Sequence, residues 1–209
     1  MRLLRQATIF QGLDETALAE LAARARRRVL ARGALLVGSG QAHDPIYVLG
    51  RGRVALYRRS PEAQELITDT LHAGDVVGFI PYEAQVLVAG TVVCRLPQPY
   101  VRELMAAQRP VDAAVHEMLC RWVVTAHGYM EALAWQSVRT RLAHTLARLA
   151  QRHPCREVDA THAELAAMVG TRQEEVTRLL RVFRELGLVA KQPYRPGLVV
   201  LDAERLAAF

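Results

Sequence analysis

The sequence predicts an α+β fold in which a barrel of short strands, a long helix and a compact helix-turn-helix with two strands follow one another. Three observations support this prediction. Short apolar runs punctuated by glycine fill residues 29–96, an uninterrupted helical pattern covers residues 110–134, and two helix starts lie close together between residues 161 and 174. We expect the corresponding domains to span residues 1–109, 110–136 and 137–209.

Length and composition limit the class of protein. A chain of 209 residues is long for one compact domain, which favours a larger domain joined to a small module. No apolar run approaches the roughly 18 residues of a membrane span. Asp14, Glu15 and Glu20 interrupt the apolar stretch that a signal peptide would need. We therefore expect a cytoplasmic protein without a membrane partner.

Charge and cysteine usage bear on partners and cofactors. The net charge is +6, and residues 136–209 carry +4 of it, so the C-terminal part is compatible with a polyanionic partner. Cys94, Cys120 and Cys155 lie far apart and form no CxxC pair, so neither a disulfide framework nor a zinc site is indicated. We expect no cofactor and no bound metal.

The N-terminal half predicts a helix followed by strands. Asp14 is suited to cap a helix. The apolar face of this helix is predicted to consist of Leu13, Ala17, Leu18 and Leu21. From Val29 to Leu96, short runs such as PIYVLGRGRVALYRR and QVLVAGTVVCRL alternate with glycine turns, which indicates an all-β sandwich or barrel.

A long helix is predicted to begin at Pro110, because proline suits the first turn of a helix. Its apolar and semi-apolar positions alternate in steps of four and three: Val111, Val115, Met118, Trp122, Thr125 and Tyr129. This heptad-like pattern suits a left-handed helix pair, so these residues are the predicted interface of a parallel homodimer. The alternative is a single helix that lies on the barrel of its own chain.

A further helix is predicted after a short break. Ser137 can cap it and Pro154 would end it. Its buried stripe is predicted to consist of Val138, Leu142, Leu146 and Leu149. Residues 135–137 are therefore interpreted as a hinge between two helices and two domains.

Two consecutive capping boxes predict a pair of short helices. They are Thr161 with Glu164 and Thr171 with Glu174, in which a hydroxyl and a carboxylate can satisfy free backbone amides. Gly170 lies between them, where a tight bend favours a residue that accepts positive φ. Residues predicted to pack across the bend are Leu165, Val169, Val176, Leu179 and Leu180. These features indicate a helix-turn-helix.

The polar face of the second helix predicts an interaction with DNA. It carries Arg172, Gln173, Glu174, Thr177, Arg178 and Arg181. A recognition helix presents its N-terminal residues to base edges in a major groove about 12 Å wide. Glu174 would accept from cytosine N4, and Arg178 would pair with guanine O6 and N7. The alternative is that Glu174 only closes its capping box and the remaining residues form a solvated face.

The residues after the second helix favour the DNA interpretation. The segment LVAKQPYRPGLVVL, residues 188–201, predicts two short strands joined by a turn. Such a β-wing beside a helix-turn-helix would lie along the DNA backbone. The unit is therefore predicted to be a winged helix-turn-helix.

The order of these elements resembles that of the CRP/FNR superfamily of bacterial transcription factors, the cyclic-AMP receptor protein and fumarate-nitrate regulator family, over nearly the full chain. Matching segments are IFQGLDETALAELA, IYVLGRGRVALY, GDVVGF, RLAHTLARLA and ELAAMVGTRQEEVTRLLRVFRELGLV. The resemblance implies a cyclic-nucleotide-binding-like β-barrel of the jelly-roll type, a dimerisation helix and a winged helix-turn-helix. It also implies a homodimer that regulates transcription from a palindromic DNA site, with RNA polymerase as a candidate partner.

The resemblance also assigns roles to residues of the DNA module. Gln173, Glu174 and Arg178 fall on base-reading positions, with Thr177 beside them. Family members that read a TGTGA-type half-site have arginine at the position of Gln173, so that contact does not carry over. The predicted phosphate contacts are Thr161, His162, Thr171, Arg172 and Arg181.

The chain departs from the cyclic-nucleotide-binding members in the barrel. In those members a helical cassette that ends in an Arg-Ser or Arg-Thr pair holds the cyclic phosphate. Here the sequence runs from Phe79 directly to the next strand, with Glu83 and no arginine before Arg95. We expect no binding of cAMP or cGMP, because the phosphate would meet no cation to offset its desolvation.

Other sensor types of the family have little support. The chain has no N-terminal cysteine cluster for an iron-sulfur centre. The candidate haem ligands are His43, His72, His116 and Cys94. Because these residues are scattered, we interpret them as packed or surface residues.

Two alternative classes of function remain open. One is a small-ligand- or redox-responsive regulator of the same family. The other is a protein-interaction module in which the helix-turn-helix serves only for packing. An enzyme is not expected, because the sequence has no phosphate loop, nucleophile elbow or metal-spaced cluster.

Overall fold

The computed structural model describes residues 1–37, 45–61, 64–79, 82–151, 155–192 and 197–209. They form two compact units, residues 1–58 with 68–126 and residues 59–67 with 127–209. These units differ from the expected domains, because segment 59–67 belongs to the second unit and the expected domain 110–136 is divided between the two units at 126/127. No helix within the described ranges is long and apolar enough to cross a membrane.

The first unit begins with short helices. They are α1 (Arg2–Gln6), a 3₁₀ turn (Thr8–Phe10) and α2 (Glu15–Arg24). The Ala17 backbone N–H donates to Asp14 Oδ1 at 2.8 Å, which confirms the predicted cap. Leu18 and Leu21 are buried, as the predicted apolar face requires. The first strand starts at Arg26, three residues before the predicted start of the barrel.

The strands form two four-stranded layers. They are β1 (Arg26–Leu30), β2 (Leu35–Val37), β3 (Ile46–Arg51), β4 (Val54–Arg59), β5 (Glu65–Leu71), β6 (Val76–Val77), β7 (Glu83–Val86) and β8 (Thr91–Leu96). The sheet orders are β1-β8-β3-β6 and β2-β7-β4-β5, which confirms the predicted barrel. Apolar residues of both sheets, including Tyr47, Leu56 and Val93, fill the space between them.

The long helix packs on its own chain. After α3 (Gln98–Ala107), which the sequence did not predict, α4 runs from Arg109 to Trp135. Val111, Val115 and Met118 are 0%, 1% and 7% exposed in a core shared with the N-terminal helices. Their assignment to a dimer interface is therefore wrong, since no second copy could reach them. A stripe with steps of three and four forms equally well against a partner helix or against the chain's own domain.

The other predicted interface residues differ in their surroundings. Trp122 is partly buried against the same core, and Thr125 is exposed. Tyr129 is half-buried within the C-terminal unit. The opposite face of α4 is exposed and carries Ala113, Cys120, Val123, Val124, His127, Met130 and Ala134. We call these seven residues the exposed face of α4.

The second unit contains the helix-turn-helix and a small sheet. Its elements after α4 are α5 (Val138–Gln151), β9 (Glu157–Val158), α6 (His162–Val169), α7 (Gln173–Glu185), β10 (Val189–Lys191), β11 (Leu198–Val200) and α8 (Ala203–Ala207). The Thr140 backbone N–H donates to Ser137 Oγ at 3.1 Å, which confirms the predicted cap of α5. Pro154, the predicted end of this helix, lies outside the described residues.

The predicted β-wing is confirmed as an antiparallel pair. Val189 lies opposite Val200, and Lys191 lies opposite Leu198. The turn at residues 193–196 lies outside the described part of the chain. A third strand, β9, pairs with β11 and had not been predicted, because two residues are too few to show a period.

Candidate nucleic-acid interface

The first helix of the helix-turn-helix begins as the sequence predicts. The Glu164 backbone N–H donates to Thr161 Oγ1 (3.1 Å), and the Thr161 backbone N–H donates to Glu164 Oε2 (2.9 Å). This reciprocal pair defines the start of α6. The Thr161 hydroxyl only accepts in the box, so its hydrogen stays available for a phosphate oxygen.

The turn between the helices depends on Gly170. Its φ of +65° and ψ of +52° lie in the left-handed region that glycine adopts at little cost. The Thr171 backbone N–H donates to the Ala166 carbonyl oxygen at 3.0 Å and closes the turn. The predicted bend at this glycine is confirmed.

The second predicted capping box is wrong. The residue before α7 is Arg172, which makes no side-chain cap, and Thr171 belongs to the turn. Glu174 is therefore the second residue of the helix rather than the third, and cannot close a box with Thr171. Within the described residues Glu174 is exposed and has no hydrogen-bond or ion-pair partner. The interpretation of Glu174 as a mere cap is excluded.

The inner face of the motif agrees with the sequence prediction. Leu165, Val169, Val176, Leu179, Leu180 and Phe183 are all buried. The Phe183 ring contacts the Phe209 ring edge-to-face, with 5.5 Å between centroids. Burial of this stripe turns the remaining residues of α7 outward.

The outer face collects the predicted contact residues. Arg172, Gln173, Glu174, Arg178 and Arg181 are exposed, and Thr171 and Thr177 are partly exposed. Positions 173, 174, 177, 178 and 181 follow helical spacing, so they share one side of α7. The free amides of the first turn lie at the same end, which favours anions there.

Arg178 is held by a residue that the sequence analysis missed. Its Nε donates to Glu175 Oε2 at 2.9 Å, and its Nη2 donates to Glu175 Oε1 at 2.6 Å. These hydrogen bonds lower the pKa of the Glu175 carboxyl, so it stays ionised at neutral pH. The Nη1 hydrogens and one Nη2 hydrogen remain free, and they suffice for a bidentate contact with a guanine. The spacing of three residues on a helix could have revealed this pair.

The His162 side chain contacts α7. His162 Nδ1 lies 3.0 Å from Thr177 Oγ1, and the Thr177 hydroxyl donates to the Gln173 carbonyl oxygen at 2.9 Å. This link joins the start of α6 to two predicted base-reading positions. A separation of 15 residues gives no local sequence signal for it.

The break between α4 and α5 lies at residues 135–137, where the hinge was predicted. The boundary between the two units lies at 126/127 instead, so the prediction of a hinge between two domains at this break is wrong. Arg141 Nη1 donates to the Gln136 carbonyl oxygen (2.7 Å), and its Nε donates to the Val169 carbonyl oxygen (2.8 Å). One guanidinium thus ties the break to the end of α6. Tyr129 lies beside Gly170 with a buried hydroxyl, and burial raises the pKa of Tyr129 to about 12.

One cavity lies among the described residues of the barrel, and it is small. The cavity lined by residues such as Tyr47, Leu49 and Val77 measures about 10 Å³, enough for about one water molecule. The described residues between β6 and β7, namely 78, 79 and 82, are not helical. Residues 80 and 81 lie outside the described residues, so the loss of the phosphate-binding cassette stays a prediction.

The candidate haem ligands lie in different surroundings in the described part of the chain. No group of three or more His, Cys, Asp or Glu residues suited to a metal ion occurs there. His116 Nδ1 contacts the Asp112 carbonyl oxygen on the surface of α4, and burial raises the pKa of the Cys94 thiol. His43 lies outside the described residues.

Comparison with known proteins agrees with this architecture. A model of the cyclic nucleotide-binding domain matches residues 27–108, and a model of the Crp-like helix-turn-helix domain matches residues 140–209. A CRP-like cAMP-activated global transcriptional regulator of Mycobacterium tuberculosis is 24% identical over 219 residues, covering 98% of this chain and 97% of that protein.

Solved structures show the same fold. A chain described as a transcriptional regulator of the crp/fnr family from Eubacterium rectale superposes with a TM-score of 0.79 at 19% identity, covering 98% of both chains. FixK2 from Bradyrhizobium japonicum superposes with a TM-score of 0.80 at 16% identity, covering 88% of this chain and 96% of that chain.

Proposed function

Because this chain belongs to the CRP/FNR superfamily of transcription regulators, we propose that it binds a palindromic DNA site as a homodimer and does so without cAMP. The observation that carries the proposal is the outer face of α7. There Gln173, Glu174 and Arg178 stand exposed at the end of the helix where free amides favour phosphates. This arrangement suits a regulator of transcription.

The roles of the individual side chains follow from their chemistry. Arg178, buttressed by Glu175, pairs with guanine O6 and N7, and Glu174 accepts from a cytosine amino group. A carboxylate beside a polyanion is unfavourable unless it has such a donor, which makes Glu174 a determinant of specificity. Phosphate contacts come from residues at the edge of this face, namely Thr161, Thr171, Arg172 and Arg181.

The exposed face of α4 is the proposed dimer interface. Ala113, Cys120, His127 and Ala134 recur every seven residues, with valines and a methionine between them. Val124 and Met130 are 71% and 55% exposed, an unusual cost for apolar side chains on one helix unless a partner covers them. To bind two half-sites one turn of DNA apart, the two recognition helices of the dimer would need to lie about 34 Å apart.

Cys120 allows a direct test of this interface. In a parallel pair, cysteines at the central position of the seam lie within the Cα separation of about 4.4–6.8 Å that a disulfide needs. Mild oxidation should therefore convert the protein into a covalent dimer on a non-reducing gel. The Cys120→Ser variant should lose this product, and the Cys155→Ser variant should keep it. A dimer in solution whose cross-link depends only on Cys155 would rule the interface out.

Independence from cAMP is supported by the small barrel cavity and by the chemistry that lines it. The described lining residues are mainly apolar, and Asp75 is the one charged residue among them. A cyclic phosphate there would lose its hydration without gaining a cation. Calorimetry with millimolar cAMP should give no saturable heat, and the affinity for DNA should not change on adding cAMP. Micromolar binding would contradict the proposal.

We also propose that the protein acts in the cytoplasm and that RNA polymerase is one of its partners. Arg26, Arg27 and Arg28 on the edge strand β1 are exposed, and Arg95 lies opposite Arg26 in the sheet. This basic surface belongs to the barrel unit and is suited to an acidic protein surface. A second class of function, regulation by a small ligand or by redox change, would act through the break at residues 135–137.

Selection of bound sequences from a random duplex library tests the whole proposal. Protein purified without added effector should enrich an inverted repeat whose half-sites lie about one helical turn apart. Enrichment of no sequence by a folded dimer would favour the interaction-module alternative instead.

A further inference from the structure

His162, Thr177 and Gln173 form a short chain of hydrogen bonds that DNA contact alone does not explain. The His162 ring at the first position of α6 reaches the Thr177 hydroxyl (3.0 Å), which in turn reaches the Gln173 carbonyl oxygen (2.9 Å). His162 and Thr177 are both partly buried, so this contact lies between α6 and α7 rather than in open solvent.

Counting protons settles the direction of both bonds. The Thr177 hydroxyl has one hydrogen, and the Gln173 carbonyl oxygen can only accept, so that hydrogen lies between these two oxygens. His162 Nδ1 must then donate its own hydrogen to Thr177 Oγ1. If the hydroxyl donated to the ring instead, two acceptor oxygens would face each other at 2.9 Å without a proton.

The Thr177 hydroxyl is thus occupied before any DNA arrives. Its donor and one of its two lone pairs are used inside the protein. The group left for a base is the Thr177 methyl. In the major groove, a threonine methyl recognises the C5-methyl group of thymine.

We infer that Thr177 reads a thymine through methyl contact, and that His162 is a positioning residue that fixes Thr177 in this orientation. The inference rests on the proposed DNA-binding function and names one base of its site. In this inference His162 contributes to specificity instead of making the predicted phosphate contact. The reason is that its Nδ1 hydrogen is already bonded to Thr177 Oγ1.

The test uses the selected site with each thymine replaced in turn by uracil, which removes only the methyl group. One position in each half-site should lose roughly fourfold in affinity for the parent protein, the factor expected for burying one methyl-sized group. The Thr177→Val variant, which keeps a methyl, should retain this uracil sensitivity. The Thr177→Ser variant, which lacks it, should lose the sensitivity.

His162 variants separate positioning from phosphate binding. His162→Phe should weaken uracil sensitivity at that one position and leave binding to random duplex and its salt dependence unchanged. His162→Asn, which restores a donor near Nδ1, should recover the sensitivity. In the Thr177→Val background His162→Phe should have no further effect on base preference. Thermal unfolding of each variant verifies that it is folded.

The outcomes distinguish the inference from the function on which it rests. A uniform loss of affinity for all sequences in His162→Phe would assign His162 to phosphate and overturn the inference. So would a selected site without a Thr177-dependent uracil effect. Failure to select any site would instead overturn the proposed DNA-binding function.

Discussion

Arg178→Ala should remove most sequence preference while leaving general affinity for DNA in place. A bidentate contact to guanine contributes about 1–3 kcal/mol of discrimination, or roughly 5- to 150-fold per half-site. Both half-sites of a symmetric site lose it together, so the effect is large. Binding to random duplex should change little, because phosphate contacts from other residues persist. Gel-shift competition between the selected site and random duplex measures the ratio directly.

Two matched variants test why Arg178→Ala should lose sequence preference. Arg172→Ala should weaken binding to every sequence and lower the slope of log affinity against log salt by about 0.9 per lost phosphate contact. Glu175→Gln leaves Arg178 in place but removes its buttress, so it should give a partial loss of guanine preference. If Arg178→Ala and Arg172→Ala behaved alike on both duplexes, α7 would not read bases as proposed.

Val124→Asp should separate the dimer and abolish specific DNA binding without unfolding the chain. Val124 is 71% exposed on α4, so its replacement leaves the core of the protomer unchanged. In a helix pair, however, two carboxylates would be brought together at an apolar contact. A single protomer binds only one half-site, so affinity for the full site should fall by several orders of magnitude. Sedimentation and gel shifts at equal concentration measure the two effects.

Two variants elsewhere on α4 serve as controls for Val124→Asp. Val115 is 1% exposed, so Val115→Asp buries an unpaired carboxylate and should unfold the first unit, at a cost of several kcal/mol against a total stability of about 5–15 kcal/mol. Thr125→Asp lies on the originally predicted seam but is exposed, and it should remain a folded dimer. Dissociation by Thr125→Asp together with an intact dimer for Val124→Asp would reverse the assignment.

The helix-turn-helix was predictable because its signals are local. Thr161 and Glu164 lie within one turn of each other, and Gly170 needs only its own backbone conformation. The prediction of a second capping box was wrong because Thr171 lies in the turn, so that α7 starts at Gln173. Glu175 was missed as the partner of Arg178 because the sequence analysis did not include Glu175 in the polar face, although the spacing of three residues is a local signal.

The order of elements and the polar face of α7 were determined by the sequence itself. Each depends on residue types and periods within a short stretch, where backbone hydrogen bonds and side-chain spacing repeat regularly. Only the tertiary structure decided which face of α4 is covered and which group contacts the Thr177 hydroxyl. An apolar stripe has the same period whether its own barrel or a second subunit covers it, and residues from distant parts of the chain supply the cover.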